Sequence, residues 1–65
     1  MKTYIAKNNE GQTFALTFQD RKFNNRAPRN ISEAEKATQL LRRNENLYVV
    51  EITDGVENEV SVVNA

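Results

Sequence analysis

The sequence contains neither cysteine nor histidine, and it has only two glycines among its 65 residues. Without cysteine there is no disulfide framework and no thiolate chemistry. Without histidine the chain lacks the commonest general base and metal ligand of proteins. Two glycines are too few for the glycine-rich loop that holds a phosphate group. These absences exclude the most frequent kinds of catalytic and cofactor sites.

The remaining polar residues do not suggest another catalytic group. Ser61 has no histidine to activate it, and Ser32 is explained by the start of a helix. Glu33 and Glu35 are two positions apart on the predicted helix, so their carboxylates do not converge on one point. Glu57 and Glu59 are also two positions apart and lie on one open face of a predicted strand. We therefore predict no enzyme activity, no cofactor and no metal site.

The length allows one domain, which we place at residues 1–65. A chain of this size buries only about 60% of the surface that its unfolded form exposes, so a deep pocket is not expected. No apolar run approaches the about 20 residues of a membrane span, and the start has no secretory signal pattern. We expect a soluble protein that stays where it is made and has no membrane partner.

Residues 31–44 have apolar residues at helical spacing between a start signal and a stop signal. Ser32 and Glu35 match the capping box of a helix N-terminus, and Asn44 suits a left-handed end. The predicted buried stripe consists of Ala34, Ala37, Leu40 and Leu41. A helix of about three turns is not stable alone in water, so it must pack on the rest of the chain.

Alternating polar and apolar residues predict strands over residues 2–7, 12–18, 47–53 and 56–63. Asp54-Gly55 between the last two strands predicts a type I′ hairpin turn. The order strand, strand, helix, strand, strand (ββαββ) favours an α+β fold. In this fold an antiparallel sheet of about four strands carries the helix on one face.

The alternation also assigns side chains to the two faces of these strands. Phe14, Leu16 and Phe18 are predicted to form an aromatic wall of the core. In the last strand the predicted inner face consists of Val56, Asn58, Val60 and Val62, and the solvent face of Glu57, Glu59 and Ser61. Residues 19–30 are predicted to be a loop that Phe23 anchors to the core, with a short strand near residues 22–24.

The charges are unevenly distributed along the chain, although they sum to zero. All nine basic residues lie at or before Arg43, and the five acids after it are accompanied by no base. We predict a basic patch that binds a partner, formed by Arg21, Lys22, Arg26, Arg29, Arg42 and Arg43.

Three interpretations of the basic patch are open. Internal pairing of the helix arginines with the acidic C-terminal hairpin would contribute little per pair. Contact with phosphates would make the protein a weak nucleic-acid binder. Contact with the acidic end of another copy would give a head-to-tail assembly. Nucleic acid is the least favoured partner because the chain is neutral, has a pI near 6.2 and lacks a recognisable reading motif.

The last strand is a second candidate contact. It is rich in valine and contains no lysine or proline to block pairing with another chain. If this strand lies at the edge of the sheet, it can accept a strand of a partner, with Val60 and Val62 as contact residues. The alternative is that the first strand covers this edge.

The chain combines Phe23 with the ISEAE start at residues 31–35, Leu40-Leu41 and the LYVV run at residues 47–50. Together these segments resemble small phage-encoded proteins, some of which are found in head and neck gene clusters. In those proteins a charged helix with a Ser/Thr-Glu start precedes a short valine-rich strand. The resemblance covers residues 14–52, and it implies a virion accessory or host-takeover protein that acts by contact alone.

The leading prediction is therefore a non-enzymatic protein–protein interaction module, a phage-encoded virion accessory protein located in the host cytoplasm or the virion. Its partner would be a larger assembly, such as other copies of itself, a capsid or a host protein. The alternatives are a small phage inhibitor of a host or defence enzyme and a weak nucleic-acid binder.

Overall fold

A computed structural model describes residues 2–21 and 24–63 of the chain. Its elements are β1 (Lys2–Lys7), β2 (Thr13–Ala15), β3 (Phe18–Gln19), β4 (Asn25–Arg26), α1 (Ile31–Leu40), β5 (Leu47–Thr53) and β6 (Val56–Val63). Four strands form an antiparallel sheet in the order β2-β1-β5-β6, and β3 pairs with β4 in a separate two-stranded sheet. The predicted α+β class, with one helix on an antiparallel sheet, is confirmed.

The helix packs on the sheet through small side chains. Ala34, Ala37 and Thr38 are almost completely buried, with exposed fractions of 0%, 3% and 1%. The core residues that they join come from the sheet and from the segment after β2: Tyr4, Ala6, Leu16, Val49 and Val63. The Thr38 hydroxyl donates to the Ala34 carbonyl oxygen at 2.7 Å, so its polar atom is satisfied within the helix.

The predicted N-cap, Ser32, is two residues late. The N-cap is Asn30, whose side-chain oxygen accepts from the Glu33 N–H at 2.9 Å, and Ser32 lies inside the first turn. Asn30 and Ser32 are both good capping residues, so spacing alone did not separate them. The cap is Asn30 because its backbone is extended, with φ −150° and ψ 175°.

The predicted helix end is also displaced. The helix ends at Leu40, and the residue with a left-handed backbone is Arg42, with φ 50°, rather than Asn44. The Arg42 N–H donates to the Gln39 carbonyl oxygen at 3.2 Å, which closes the last turn. Leu40 was predicted to be buried but is 61% exposed, and Thr38 occupies the core in its place.

The predicted strand over residues 12–18 is divided between the two sheets. β2 ends at Ala15, the buried Leu16 follows, and β3 begins at Phe18 in the second sheet. The strand that pairs with β3 is at Asn25–Arg26. Lys22, Phe23 and part of the short strand predicted near residues 22–24 lie outside the described residues.

β5, β6 and their turn have the predicted bounds, because Asp54 and Gly55 both adopt the positive φ of a type I′ turn. The predicted faces of β6 are wrong near its end. Val49 pairs with Ser61 while Val50 pairs with Glu59, so the ladder contains a bulge at Val60.

The bulge exchanges the faces of the residues that follow it. Ser61 was predicted on the solvent face, but its hydroxyl donates to the Glu35 carboxylate of α1 at 2.5 Å. Val63 is buried in the core, and Val62 between them is 50% exposed on the face away from the helix. A simple alternation does not reveal an extra residue in the ladder.

The turn between β1 and β2 is built around the side chain of Asn8. This residue is only 5% exposed, and its side-chain oxygen accepts from the N–H groups of Glu10 and Gln12 at 3.0 and 2.9 Å. Its amide donates to the Gln12 side chain at 2.8 Å. A buried amide with these partners holds the chain reversal that brings β2 beside β1.

We expect Asn8→Ala to lower the free energy of unfolding by about 1–3 kcal/mol, because two backbone N–H groups lose their acceptor. Asn58→Ala is the matched control, since Asn58 is exposed on β6 and should stay within about 0.5 kcal/mol of the parent. Urea denaturation followed by circular dichroism measures both. Equal stability of the two variants would contradict the role given to Asn8.

We expect Arg42→Gly to raise the free energy of unfolding by about 1 kcal/mol, because a left-handed backbone is strained for every residue with a Cβ atom. Arg42→Ala is the control, since it removes the same side chain but keeps the strain, and it should bring no gain. The two urea midpoints distinguish these cases. A gain in both variants would mean that the Arg42 side chain itself destabilises the fold.

Candidate functional site

Strand β6 forms one edge of the four-stranded sheet. In the described part of the chain it pairs with β5 alone, and β1 lies on the other side of β5. The alternative in which the first strand covers β6 is therefore wrong. Along the outer edge of an antiparallel strand, alternate residues direct their N–H and C=O groups away from the sheet. The eight residues of β6 thus present a row of backbone donors and acceptors.

Some side chains of β6 give this edge apolar surface, and others oppose nonspecific pairing with strands of other chains. Val56 and Val62 are 59% and 50% exposed. Val60, the other predicted contact residue, is partly buried against the core. Glu57 and Glu59 are exposed charges on the same strand, and together with the bulge they disfavour indiscriminate pairing.

The sheet face opposite α1 is apolar in its middle. The strand register places Ile5 beside Val50 on this face, and Ile52 and Val62 belong to it. Lys7 forms an ion pair with Glu57, which joins β1 to β6 across β5. Val50 lies between the two charged residues and is only 5% exposed. This face is therefore partly covered by the chain's own side chains.

Arg26 of the predicted basic patch is occupied by internal contacts. Its guanidinium donates to both carboxylate oxygens of Glu33 at 2.7 Å and lies 4.7 Å from the centre of the Phe18 ring. The Arg29 N–H donates to the same carboxylate at 2.9 Å. Together these contacts connect β4 to the first turn of α1 and lower the pKa of Glu33 to about 2, the Arg26 hydrogen bonds being the main cause.

Arg43 is occupied in a similar way. Its Nε donates to Glu45 at 2.7 Å, and its guanidinium lies 4.5 Å from the centre of the Phe14 ring. The Arg43 hydrogen bond is the main cause of the lowered pKa of Glu45, and a hydrogen bond from Asn8 contributes. Arg26 and Arg43 therefore each make polar and aromatic contacts within the chain, and their role in binding a partner stays a prediction.

The other predicted cations of the patch face solvent. Arg21, Arg29 and Arg42 are exposed and form no ion pair within the described residues, and Lys22 lies outside them. One interpretation predicted that the acids of the C-terminal hairpin pair with the helix arginines, and no such ion pair is present among residues 2–21 and 24–63. Glu51 pairs with Lys2 at 3.8 Å, and Glu57 pairs with Lys7, so their partners belong to β1.

A groove of about 460 Å³ lies between α1 and β3. Its lining residues are Phe18, Gln19, Lys36, Gln39, Leu40 and Arg42, and we call it the α1–β3 groove. It contains two cations and exposed apolar surface but no acid. Lys36 and Leu40 were not among the site residues predicted from the sequence. Their spacing of four residues, which places both on one helix face, was the signal that could have joined them.

A smaller hollow of about 270 Å³ adjoins the groove and shares Gln39 and Arg42 with it. Leu47 and Val63 also line this hollow. The C-terminal end of α1 therefore lies at the end of the sheet where β5 begins and β6 ends.

Within residues 2–21 and 24–63 there is no group of three or more acidic residues arranged to hold a metal ion. None of the helical structure in these two ranges is long and apolar enough to cross a membrane. No protein family, curated protein or solved structure matches this chain. The resemblance to phage-encoded accessory proteins stays a prediction.

The lowered pKa of Glu33 predicts how stability responds to acid. The ionised carboxylate stabilises the folded state at pH values above its ordinary pKa of 4.5, and this contribution is lost as the pH falls through about 2. The free-energy difference between the parent and Glu33→Gln should therefore shrink on acidification. Urea denaturation at a series of pH values measures it.

The cause of the shift is tested by an NMR titration of the Glu33 carboxyl carbon in the parent and in Arg26→Gln. Removal of the guanidinium should raise the pKa of Glu33 towards its ordinary value, since the hydrogen bonds that favour the carboxylate are lost. A pKa that is the same in both proteins would show that Arg26 is not responsible.

Proposed function

We propose that this protein is a non-enzymatic protein–protein interaction module that binds through the open edge of β6. The observation that carries the proposal is the position of this strand, which pairs on one side only and is eight residues long. An extended segment of a partner would add to the sheet as a fifth strand. Its backbone hydrogen bonds would supply affinity, and contacts with exposed side chains would supply specificity.

Val62 supports this binding mode because its side chain is exposed beside the edge, on the sheet face that α1 leaves open. A partner strand that carries an apolar residue at the matching position would bury both side chains. The partner that we propose is a component of a larger protein assembly, and a phage virion is the assembly that the resemblance favours. An inhibitor of a host enzyme would use the same edge on a different partner.

The test compares three immobilised proteins that capture partners from a lysate of the native host: the parent, Val62→Lys and Thr3→Lys. A lysine beside the edge should reduce capture at least about tenfold, because edge lysines oppose strand addition. Thr3→Lys is the control, since Thr3 is exposed on β1, away from the β6 edge.

Amide hydrogen exchange in the purified complex then locates the contact. The outward N–H groups of β6 should exchange at least about tenfold more slowly in the complex, while those of β2 at the other edge should not change. Capture that is equal for all three proteins, with protection outside β6, would rule out the proposed edge. Binding to any DNA duplex that weakens steeply between about 50 and 200 mM salt would favour a nucleic-acid partner instead.

A further inference from the structure

The α1–β3 groove combines two cations with apolar surface. Lys36 and Arg42 line it, and neither forms an ion pair within the described residues. Leu40, 61% exposed, lies with Phe18 between them. A ligand that fits must bring negative charge together with an apolar side chain, since a purely ionic ligand would leave Leu40 in water.

The backbone of Arg42 is a second unusual feature of this groove, because it has a left-handed conformation. Its φ of 50° is unfavourable for arginine, and glycine is the usual residue at this position after a helix. A residue that keeps local strain while exposing its charge is a candidate for a functional contact. The charge, the exposed leucine and the strain coincide in one place.

The chain itself carries a surface with the complementary chemistry. The turn between β5 and β6 exposes Asp54, and two residues later Val56 is 59% exposed. Asp54 forms no ion pair within the described residues. Lys2 lies opposite Thr53 in the neighbouring strand, but it is paired with Glu51 at 3.8 Å, so Asp54 keeps an exposed charge at the turn. We call Asp54, Gly55 and Val56 the acidic tip.

The acidic tip and the groove lie at opposite ends of the molecule. The groove adjoins the hollow lined by Leu47 and Val63, where β5 begins, whereas the acidic tip follows Thr53, where β5 ends. Seven strand residues separate these ends by about 20 Å. The tip therefore cannot enter the groove of its own chain, but it can enter that of another copy.

We propose that the α1–β3 groove binds the acidic tip of a second copy, with Asp54 between Lys36 and Arg42 and Val56 against Leu40. Because the two surfaces are different and lie at opposite ends, the contact is heterologous. Repeated contacts close into a ring or extend as a filament. Of β6 the contact uses only the side chain of the first residue, Val56, so Val62 and the rest of the open edge remain for the proposed strand pairing.

A second copy fits the groove better than nucleic acid does. A phosphate backbone would satisfy Lys36 and Arg42 but would bury little of Leu40, whereas the acidic tip carries a carboxylate and an apolar side chain two residues apart. Both sides of the proposed contact are present in one chain.

The test is a charge exchange followed by sedimentation velocity, with protein from about 10 µM to 1 mM in low salt. Arg42→Glu makes the groove acidic, and Asp54→Lys makes the tip basic. Each variant alone should lose self-association by at least about tenfold, because like charges then meet at the contact. An equimolar mixture of the two variants should associate again, since each groove now meets a tip of opposite charge.

Three further proteins keep the result interpretable. Arg29→Glu has the same change in net charge as Arg42→Glu but lies before α1, at the other end of the helix, and should associate like the parent. Asp54→Asn keeps a residue that suits the type I′ turn and should still weaken association. Val62→Lys should not affect it. Circular dichroism verifies that every variant is folded.

Several outcomes would overturn the proposal. One is a parent protein that stays monomeric at 1 mM in low salt, and another is a mixture that fails to associate although both variants are folded. Binding of a poly-glutamate peptide to a monomeric parent would assign the groove to a different acidic protein. Binding of a DNA duplex that Arg42→Glu abolishes would assign it to nucleic acid.

Discussion

The contact between a short helix and a sheet determines the positions of everything else in this molecule. A helix of ten residues is unstable alone in water. α1 is stabilised because its face of small side chains, Ala34, Ala37 and Thr38, is buried on the sheet. Both ends of the helix are then fixed in space. The first turn holds the Arg26–Glu33 pair, and the last turn places Arg42 beside β3. The same packing leaves one sheet face without a covering element, and within the described residues no strand pairs with the outer side of β2 or of β6.

Folding reduces the number of cations that are available to a partner and pairs some hairpin acids with lysines, but Arg42 and Asp54 keep exposed charges of opposite sign at the two ends of β5. Arg26 and Arg43 are neutralised by neighbours that are close in sequence, Glu33 and Glu45, and each also lies over a phenylalanine ring. The hairpin acids that pair do so with the lysines of β1. The α1–β3 groove stays basic, and the turn between β5 and β6 stays acidic. A chain with zero net charge thereby has two ends of opposite sign.

The regular strands were predictable from the sequence. The helix cap, the bulge and the strand break were not, because more than one local structure fits the sequence at those positions. β1, β5 and β6 have the predicted bounds because a regular alternation and an Asp-Gly turn leave little choice. The helix cap was ambiguous between Asn30 and Ser32, which have the same chemistry. The bulge at Val60 and the break after Ala15 depend on contacts between distant segments, which no local pattern contains. The groove was missed for the same reason, since Phe18 and Arg42 meet only after folding.

β1, the first described strand in chain order, is one of the two that the sheet places at its centre. β1 lies between β2 and β5, with Lys2 opposite Thr53 and Lys7 opposite Tyr48. Tyr4 therefore reaches its place in the sheet only when it lies opposite Glu51, 47 residues farther along the chain. Closing so large a loop before any central pairing forms slows folding relative to a helical protein of this length. Until that pairing forms, the unfolded chain exposes its core residues and can associate with other unfolded chains.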